Sequence, residues 1–383
     1  MPHSTTLFGH LLSQLPRHQF ENLVSHYSGD RYTKTFSTWN QFQVLLYAQC
    51  CGHQSLRDIE TSFLSQASKL YHLGLPDKIC RNTLSNANLK RDSDIYQDFF
   101  YKLVDRCKDL TPKHKFRFKN ALYSFDATTI SLCLSTFPWA KIKHKKGAIK
   151  MHVQLDYAGE IPVFMAITKG DVNDVKAAKD HFDIYQDSIY CFDRGYIDYK
   201  WFRSIDEKKA FFVTRLKEGM QYTVISGGLV GTAGIVSDER IEVNVKNYPK
   251  ELRLVRLYDA KRDEVFEFLT NNFDLPAKTI ANIYKSRWQI EAFFKWIKQN
   301  LKIKTFLGTN ENAVMTQIWV AMCYFLLLAY LKYQTKYKNS LYYLHRLIKA
   351  AIFQKLTLID LLSLTKRRLS RIRDHDPQLA FAF

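Results

Sequence analysis

The chain has 383 residues, 46% of them hydrophobic, which is enough to bury a large core and to form two or three domains. This composition excludes a disordered or fibrous protein. Lysine and arginine number 56 against 37 acidic residues, and the resulting net charge of +19 favours a polyanionic partner, most simply nucleic acid. The seven cysteines are odd in number and lack CxxC spacing, which argues against a disulfide framework or zinc site and favours the reducing cytoplasm.

The first part of the chain, 1–106, is predicted to be a small all-helical domain that binds DNA. Five segments carry apolar residues at helical spacing between prolines and glycines: 7–15, 19–26, 38–51, 55–65 and 81–106. The last segment opens with RNTLSNANLKR, and arginine and asparagine are the side chains that pair with guanine and adenine edges. Residues 81–91 are therefore either a recognition helix or an ordinary solvated helix face.

A basic connector, 107–120, comes next. Its cations alternate with other residues, at Lys113, Lys115, Arg117 and Lys119. An extended segment with this alternation carries its charges on one side and could follow DNA phosphates. The connector is predicted to be the boundary between the helical domain and a second, larger one.

Strand patterns begin at residue 121. The first strand, ALYSFDATTISL, contains a single acid, Asp126, and a hairpin over 148–170 follows it. A helix is predicted at 171–185, then the strand SIYCFDRGYID with Asp193 near its end, a helix at 199–209 and the strand AFFVTRLK. The order of three strands, helix, strand, helix and strand matches the ribonuclease-H-like α/β fold.

In that fold the first and fourth strands are neighbours at the centre of the sheet, so Asp126 and Asp193 are expected to face one another. Two like charges this close need a cation, and Mg²⁺ bound by carboxylates and substrate phosphate is the usual solution. Two ions about 3.5 to 4 Å apart could activate a water or a 3′-hydroxyl for in-line displacement at phosphorus. The alternative for Asp126 is a turn or cap, and for Asp193 it is ordinary Asp-Arg-Gly turn chemistry.

A third acid, Glu291, lies in the segment 279–301, which lacks proline and glycine and is predicted to be one helix. One narrow face carries Tyr284, Arg287, Glu291, Lys295 and Lys298. The neighbouring face is apolar, with Ile283, Ile290, Phe294, Ile297 and Leu301. Without the two aspartates, Glu291 would be read as an ordinary ion-pair partner of Lys295. Trp288 is expected in the core, with assistance to base flipping as the less favoured alternative.

These motifs resemble bacterial insertion-sequence transposases of the DDE superfamily, in the branch called the insertion-sequence-four family. That family's signature is Tyr, two residues, Arg, three residues, Glu, six residues and Lys, and it is complete here from Tyr284 to Lys298. The contexts SFDATTI at Asp126 and FDRGY at Asp193 match as well. The resemblance covers about 121–330, and the opening, from FGHLLSQLPRHQF onward, resembles an amino-terminal domain often fused to such transposases.

The resemblance implies the role of each site residue. Asp126, Asp193 and Glu291 would be the catalytic metal ligands, for two Mg²⁺ ions with Mn²⁺ as a substitute. Residues that would contact DNA are Tyr284, Arg287, Lys298, Arg194 and Lys295. The catalytic core would comprise 121–217 and 271–331, interrupted by a β-rich insertion at 218–270 that helps to grip the transposon end.

The expected protein is a cytoplasmic, nucleoid-associated bacterial transposase that acts on double-stranded DNA. It would bind its element's terminal inverted repeats as a homodimer, cut the strands and join them to target DNA. The alternatives are another ribonuclease-H-like nuclease and a catalytically silent, transposase-derived DNA-binding protein. The apolar run 318–331 is shorter than the roughly 20 residues of a bilayer span, so a buried helix and no membrane contact are expected. A basic helical segment, 332–383, would end the chain, with a cluster at Lys366, Arg367, Arg368, Arg371 and Arg373.

Overall fold

The structure, a computed structural model, describes residues 6–142, 146–232, 234–244, 248 and 250–363. Two compact units are present: Met1–Leu110 with Asn300–Phe383, and Thr111–Gln299. The first unit is helical and the second is built on a sheet. The finer domain boundaries predicted above, from 1–106 to 332–383, stay a prediction. The basic cluster at 366–373 lies outside the described residues.

The first unit opens with seven helices, all in the region predicted to be helical. They are α1 (Leu7–Ser13), α2 (Arg17–His26), α3 (Thr38–Cys51), α4 (Leu56–Leu64), α5 (Ala67–Leu70), α6 (Arg81–Lys90) and α7 (Asp94–Lys108). A capping box at the start of α3, between Ser37 and Asn40, satisfies the first free N–H groups of that helix. Gly52 ends α3 with φ +77°, a left-handed conformation that glycine adopts without strain. Almost all of α3 is buried, so it is the central helix of this unit.

The prediction of one continuous helix at 81–106 is wrong, because this segment forms two helices, α6 and α7, and the first of them ends at Arg91. Its backbone there is extended, and its guanidinium turns inward to bond the carbonyl oxygens of Phe36 and Ser37 and the Gln41 Oε1. Asn88 is buried too, and its Oδ1 accepts a hydrogen bond of 2.8 Å from Gln41. Two of the predicted base-reading side chains therefore hold the helices together, whereas Arg81 at the start of α6 is exposed.

One nine-stranded sheet forms the second unit. Its strands are β1 (Leu122–Leu132), β2 (Gly147–Asp156), β3 (Ile161–Lys169), β4 (Ile189–Cys191), β5 (Phe211–Arg215), β6 (Tyr222–Thr232), β7 (Ile235–Val243), β8 (Leu252–Asp259) and β9 (Glu264–Thr270). They lie in the order β3-β2-β1-β4-β5-β9-β8-β7-β6. β1 pairs with β4 and β4 with β5 in parallel, and the remaining pairs are antiparallel. The predicted adjacency of the first and fourth strands is confirmed.

The strands of the segment 218–270 continue this sheet. β9 pairs antiparallel with β5, in a register that sets Val213 opposite Thr270. Thr270 also donates its hydroxyl to the Phe212 carbonyl oxygen, and Asn271 Oδ1 accepts from the Phe212 N–H at 2.9 Å. The β-rich segment is thus joined to the ribonuclease-H-like strands by backbone and side-chain bonds.

Four α-helices belong to the described part of the sheet unit: α8 (Asp174–His181), α9 (Tyr199–Glu207), α10 (Ala277–Ser286) and α11 (Trp288–Asn300). α8 is shorter than the predicted 171–185. Residues of α8 and α9 pack with Phe125 and Tyr190 on one face of the sheet, while α10 packs with Leu122 and Ile189 on the other. Because side chains alternate along a strand, Asp126 points to the same face as Leu122.

The segment predicted as one helix at 279–301 is two helices, α10 and α11, which meet at Arg287. The Arg287 N–H donates to the Tyr284 carbonyl oxygen at 3.0 Å, and the Ile290 N–H donates to the Arg287 carbonyl oxygen at 3.1 Å. These three-residue bonds tighten the turn at which α10 ends and α11 begins. The core position expected for Trp288 is wrong, since this residue is 61% exposed, whereas Ile290, at 0%, is buried as predicted. Trp288 follows Tyr284 by four residues, which places it on the polar side of the helix.

Within the described residues, three more α-helices belong to the first unit: α12 (Glu311–Gln334), α13 (Leu341–Ala351) and α14 (Leu358–Ser363). α12 has the length and apolar composition of a membrane span, but 94% of its most apolar window is buried inside the protein. It packs against α3 and α7, and Asn312 donates to the carbonyl oxygens of Asn88 and Arg91. α12 is therefore the core helix that the sequence predicts.

Candidate active site

The two aspartates lie on neighbouring central strands. Ser124 of β1 is opposite Cys191 of β4. Two residues after each of them come the acids, Asp126 within β1 and Asp193 just after the end of β4. Both therefore continue the same face of the sheet. Asp126 is mostly buried within the strand, and Asp193 lies in the turn where β4 ends.

Asp193 is held by a local turn. Its Oδ1 accepts the Gly195 N–H at 2.8 Å and so caps a single turn of 3₁₀-helix, Arg194–Tyr196. A Cβ at Gly195 would lie 3.0 Å from that same oxygen, so any larger residue would press on the carboxylate. Asp-Arg-Gly turn chemistry and the aspartate's position beside Asp126 thus coexist in this structure.

Glu291 and Arg287 complete the site from the helical side. Arg287 Nη1 lies 3.5 Å from Asp126 Oδ2, and its Nη2 pairs with the carboxylate of Glu291 in the first turn of α11. The guanidinium carbon of Arg287 is also 5.7 Å from the centre of the Tyr284 ring. Arg287 therefore bridges the acid of the central strand and the acid of the helix, and Glu291 pairs with Arg287 rather than with Lys295, the partner in the alternative interpretation.

The other residues predicted to contact DNA surround this cluster. Tyr284 is partly buried and packs on the ring of Phe268, with 5.2 Å between ring centres. Arg194 and Lys295 are exposed, and Lys298 is half-buried in α11. Their DNA contacts stay a prediction, as do the roles of the three acids.

Burial and charge act together on Asp126. Burial raises its pKa from the ordinary 3.8 to about 6, and the negative charges of Asp193 and Glu291 act in the same direction. The N–H of Ala127, which donates to Asp126 Oδ1 at 2.8 Å, and the charge of Arg287 oppose that rise in pKa. The carboxyl group is thus held in a site where negative charge accumulates.

The donor set fits a hard divalent cation, because three carboxylates act on one another and the buried one lacks full compensation. Among the described residues, however, no group of three His, Cys, Asp or Glu side chains is close enough to hold an ion. Instead, the guanidinium of Arg287 supplies the positive charge between Asp126 and Glu291. The acids would have to draw closer together to share a metal.

One neighbour of the site was missed by the sequence reasoning. Tyr196 of the FDRGY motif is buried, and its hydroxyl has no hydrogen-bond partner within the part of the chain that the structure describes. Burial raises its pKa, and the charges of Asp126, Asp174 and Asp193 add to that rise. The apolar pattern around the motif could have indicated its burial, but not the missing partner of its hydroxyl.

The raised pKa of Asp126 predicts a pH-dependent stability. The folded state holds the proton more tightly than the unfolded state, so Asp126 lowers the stability as the pH rises from about 4 to about 6. The shift corresponds to roughly 3 kcal/mol, so Asp126→Asn is expected to stabilise the protein at pH 7.5 by up to that amount and to change little at pH 4. Denaturant unfolding in EDTA measures the difference. Asp180→Asn, at an exposed position of α8, is the control; a wild type as stable as Asp126→Asn at pH 7.5 would contradict the prediction.

Comparison with known proteins identifies the family. Residues 117–326 match the family described as "Transposase DDE domain", and residues 3–76 match a "Domain of unknown function (DUF4372)". "Putative transposase y4zB" of Sinorhizobium fredii is 35% identical over 64% of this chain and 69% of its own length. "Probable transposase for insertion sequence element IS5377" of Geobacillus stearothermophilus is 27% identical over 70% of this chain and 71% of its own length.

Among solved structures, a piggyBac transposase synaptic complex with hairpin DNA aligns over 95% of this chain and 82% of its own, with 10% identity and a TM-score of 0.45. The match to the transposase family covers more than half of this chain and includes all three acids. The predicted resemblance and the predicted α/β, ribonuclease-H-like fold are both confirmed. The chain belongs to the DDE transposases, enzymes that act on DNA and use divalent metal ions.

Proposed function

We propose that this transposase moves its own insertion sequence by a cut-and-paste route. It binds the terminal inverted repeats, cleaves the strands at each end and joins the freed 3′-hydroxyls to target DNA. The observation that carries this proposal is the contact of Arg287 with both Glu291 and Asp126, which lies on a strand that pairs with β4, the strand that Asp193 follows. Three acids around a cation are what phosphoryl transfer with a divalent ion requires.

Asp126, Asp193 and Glu291 are the proposed metal ligands, with Mg²⁺ as the physiological ion and Mn²⁺ as a substitute. When bound, two such ions would polarise the phosphate and stabilise the attacking and leaving oxygens. Backbone N–H groups orient two of these acids: the N–H of Gly195 donates to Asp193, and the N–H of Ala127 donates to Asp126.

Five further side chains are proposed to hold the DNA. The guanidinium of Arg287 suits bidentate contact with a phosphate and is already desolvated beside the acids. Tyr284, braced by Phe268, offers a ring for stacking. Arg194, Lys295 and Lys298 add positive charge around the site. A homodimer that joins two element ends and a cytoplasmic, nucleoid-associated location belong to the same proposal.

The test is an end-cleavage and strand-transfer assay. A labelled duplex that carries the element's own terminal repeat is incubated with the protein, Mg²⁺ and a supercoiled target plasmid. Cleavage at the end, followed by covalent joining to the plasmid, is the expected result. Hydrolysis without joining would instead indicate another ribonuclease-H-like nuclease, and specific binding of the end without cleavage would indicate a silent DNA-binding protein.

A further inference from the structure

The segment that leads into the catalytic sheet is built as a cationic surface. We call residues 113–119 the basic strap. Its side chains alternate between solvent and protein: the four cations are exposed, while His114, Phe116 and Phe118 are partly buried. The four exposed residues are Lys113, Lys115, Arg117 and Lys119. The predicted one-sided charge is thus present, although the backbone bends at 115–118 and is not a straight extended strand.

The inward side chains anchor the strap to the sheet unit. The rings of Phe116 and Phe118 stack with 5.3 Å between their centres, and the centre of the His114 ring lies 4.8 Å from the centre of the Phe118 ring. Both phenylalanines pack against the apolar cluster that contains Leu122 of β1 and Ile189 of β4. The strap therefore keeps a defined conformation on the protein.

Two hydrogen bonds fix the end of the strap. His114 Nε2 donates to the Asn120 carbonyl oxygen at 2.8 Å, and the Asn120 side chain donates to the Asp187 carbonyl oxygen at 2.6 Å. The bonds close the segment on itself and tie it to the loop before β4. Because the backbone is already ordered, a ligand that binds the four cations would lose little chain entropy.

None of these four cations has an acidic partner among the described residues. Some other cations of the same unit are paired, such as Arg203 with Glu207, Arg240 with Glu251, and Arg253 with Asp238. In the strap, four positive charges without an acidic partner lie within seven residues, where they repel one another and attract a polyanion. The strap is marked as a binding surface by this density of exposed cations on an anchored segment.

The strap lies on the same face of the sheet as the acids. Phe116 and Phe118 pack against the apolar cluster that contains Leu122, which shares its face of β1 with Asp126 four residues later. At 3.3 Å per residue, Asp126 is about 13 Å along the strand from Leu122. That distance corresponds to about four base pairs of duplex DNA, so a duplex at the acids can also reach the strap.

We propose that the basic strap binds the phosphate backbone of the DNA duplex that enters the active site, a few base pairs from the reacting phosphate. This inference rests on the proposed function for its ligand. It adds a contact outside the Tyr-Arg-Glu-Lys signature, one that depends on charge and is independent of base sequence. The strap positions DNA and takes no part in the chemical step.

The experiment measures how salt weakens binding of a mixed-sequence, fluorescein-labelled duplex in EDTA, where no cleavage occurs. The test variant replaces all four strap cations with glutamine. If each cation contacts one phosphate, the slope of log affinity against log salt falls in magnitude by about 3 to 4, and affinity at ~0.1 M salt falls at least about tenfold. A charge-keeping variant, with Lys and Arg exchanged at the same positions, is expected to retain the wild-type slope.

The matched control removes four exposed cations from the opposite face of the sheet, on α8 and at α9. They are Lys176, Lys200, Arg203 and Lys208. This control should change the slope by less than about 1. A strap variant whose slope equals that of wild type or of the control would overturn the proposal. If the strap variant has a reduced slope but the wild type shows no strand transfer, the proposed function is contradicted and the strap proposal stands. If the wild type shows strand transfer but the strap variant keeps the wild-type slope, only the strap proposal is contradicted.

Discussion

Asp126→Asn and Glu291→Gln are each expected to lower strand cleavage of the element's end by on the order of 10³-fold, at saturating DNA and Mg²⁺. Each amide keeps the size of the side chain but loses the negative charge that a divalent ion needs. The ion's contribution to transition-state stabilisation is several kcal/mol, and about 4 kcal/mol corresponds to that factor. Single-turnover cleavage rates, measured on gels with a labelled end duplex, provide the number.

Measuring how tightly the same variants bind the element's end distinguishes a loss of catalysis from a loss of folded protein. Because Asp126→Asn is expected to stabilise the protein at neutral pH, lost cleavage by that variant cannot be explained by unfolding. Glu267→Gln is a suitable control, since Glu267 of β9 pairs with Arg256 of β8 in the same sheet and is not one of the proposed metal ligands. Cleavage by Asp126→Asn or Glu291→Gln within tenfold of wild type would remove that residue from the proposed active site.

Arg91→Met is expected to destabilise the helical unit by about 3 to 5 kcal/mol, the cost of breaking a buried charged network. Burial lowers the pKa of the Arg91 guanidinium, but it stays protonated at neutral pH. Without it, the carbonyl oxygens of Phe36 and Ser37 and the Gln41 Oε1 lose a buried donor. Denaturant unfolding followed by far-UV circular dichroism measures the loss.

Lys90→Met, at the neighbouring exposed position of α6, serves as the control and should change the stability by less than about 0.5 kcal/mol. The pair also distinguishes the two interpretations of residues 81–91. If Arg91 reads a base, Arg91→Met keeps its stability and relaxes sequence preference in DNA binding. If Arg91 is structural, the variant unfolds more easily and its folded fraction binds DNA with unchanged preference.

The central part of the candidate site was predictable because it depends on strand order. Asp126 and Asp193 are brought together by two parallel strands, and the succession of apolar segments indicates those strands directly. Glu291 was singled out by the two aspartates upstream and by the resemblance of its spacing from Tyr284 and Arg287 to the family signature. These residues lie in regular elements whose periodicity is visible in the sequence.

The details that the sequence did not reveal depend on where single side chains turn. Nothing in the local pattern shows that Arg287 bridges two acids and ends a helix, whereas the exposure of Trp288 follows from its spacing of four residues from Tyr284. Arg91 has the composition of a DNA contact, yet its environment is formed by residues about fifty positions earlier. Tertiary contacts of this kind override local propensity, and spacing alone does not report them.

The pairing of β9 with β5 has a consequence for how the protein folds and how it could be shortened. Val213 and Thr270 are partners although 57 residues separate them, so the core sheet gains its fifth interstrand pairing only after the intervening segment has been synthesised and closed. A chain from which 218–270 had been deleted would leave β5, with its unsatisfied backbone groups, as an open edge. Such a truncated protein would therefore tend to aggregate. Residues 218–270 cover the edge of β5 and are needed to keep the sheet closed on that side, so they cannot be deleted as a dispensable insertion.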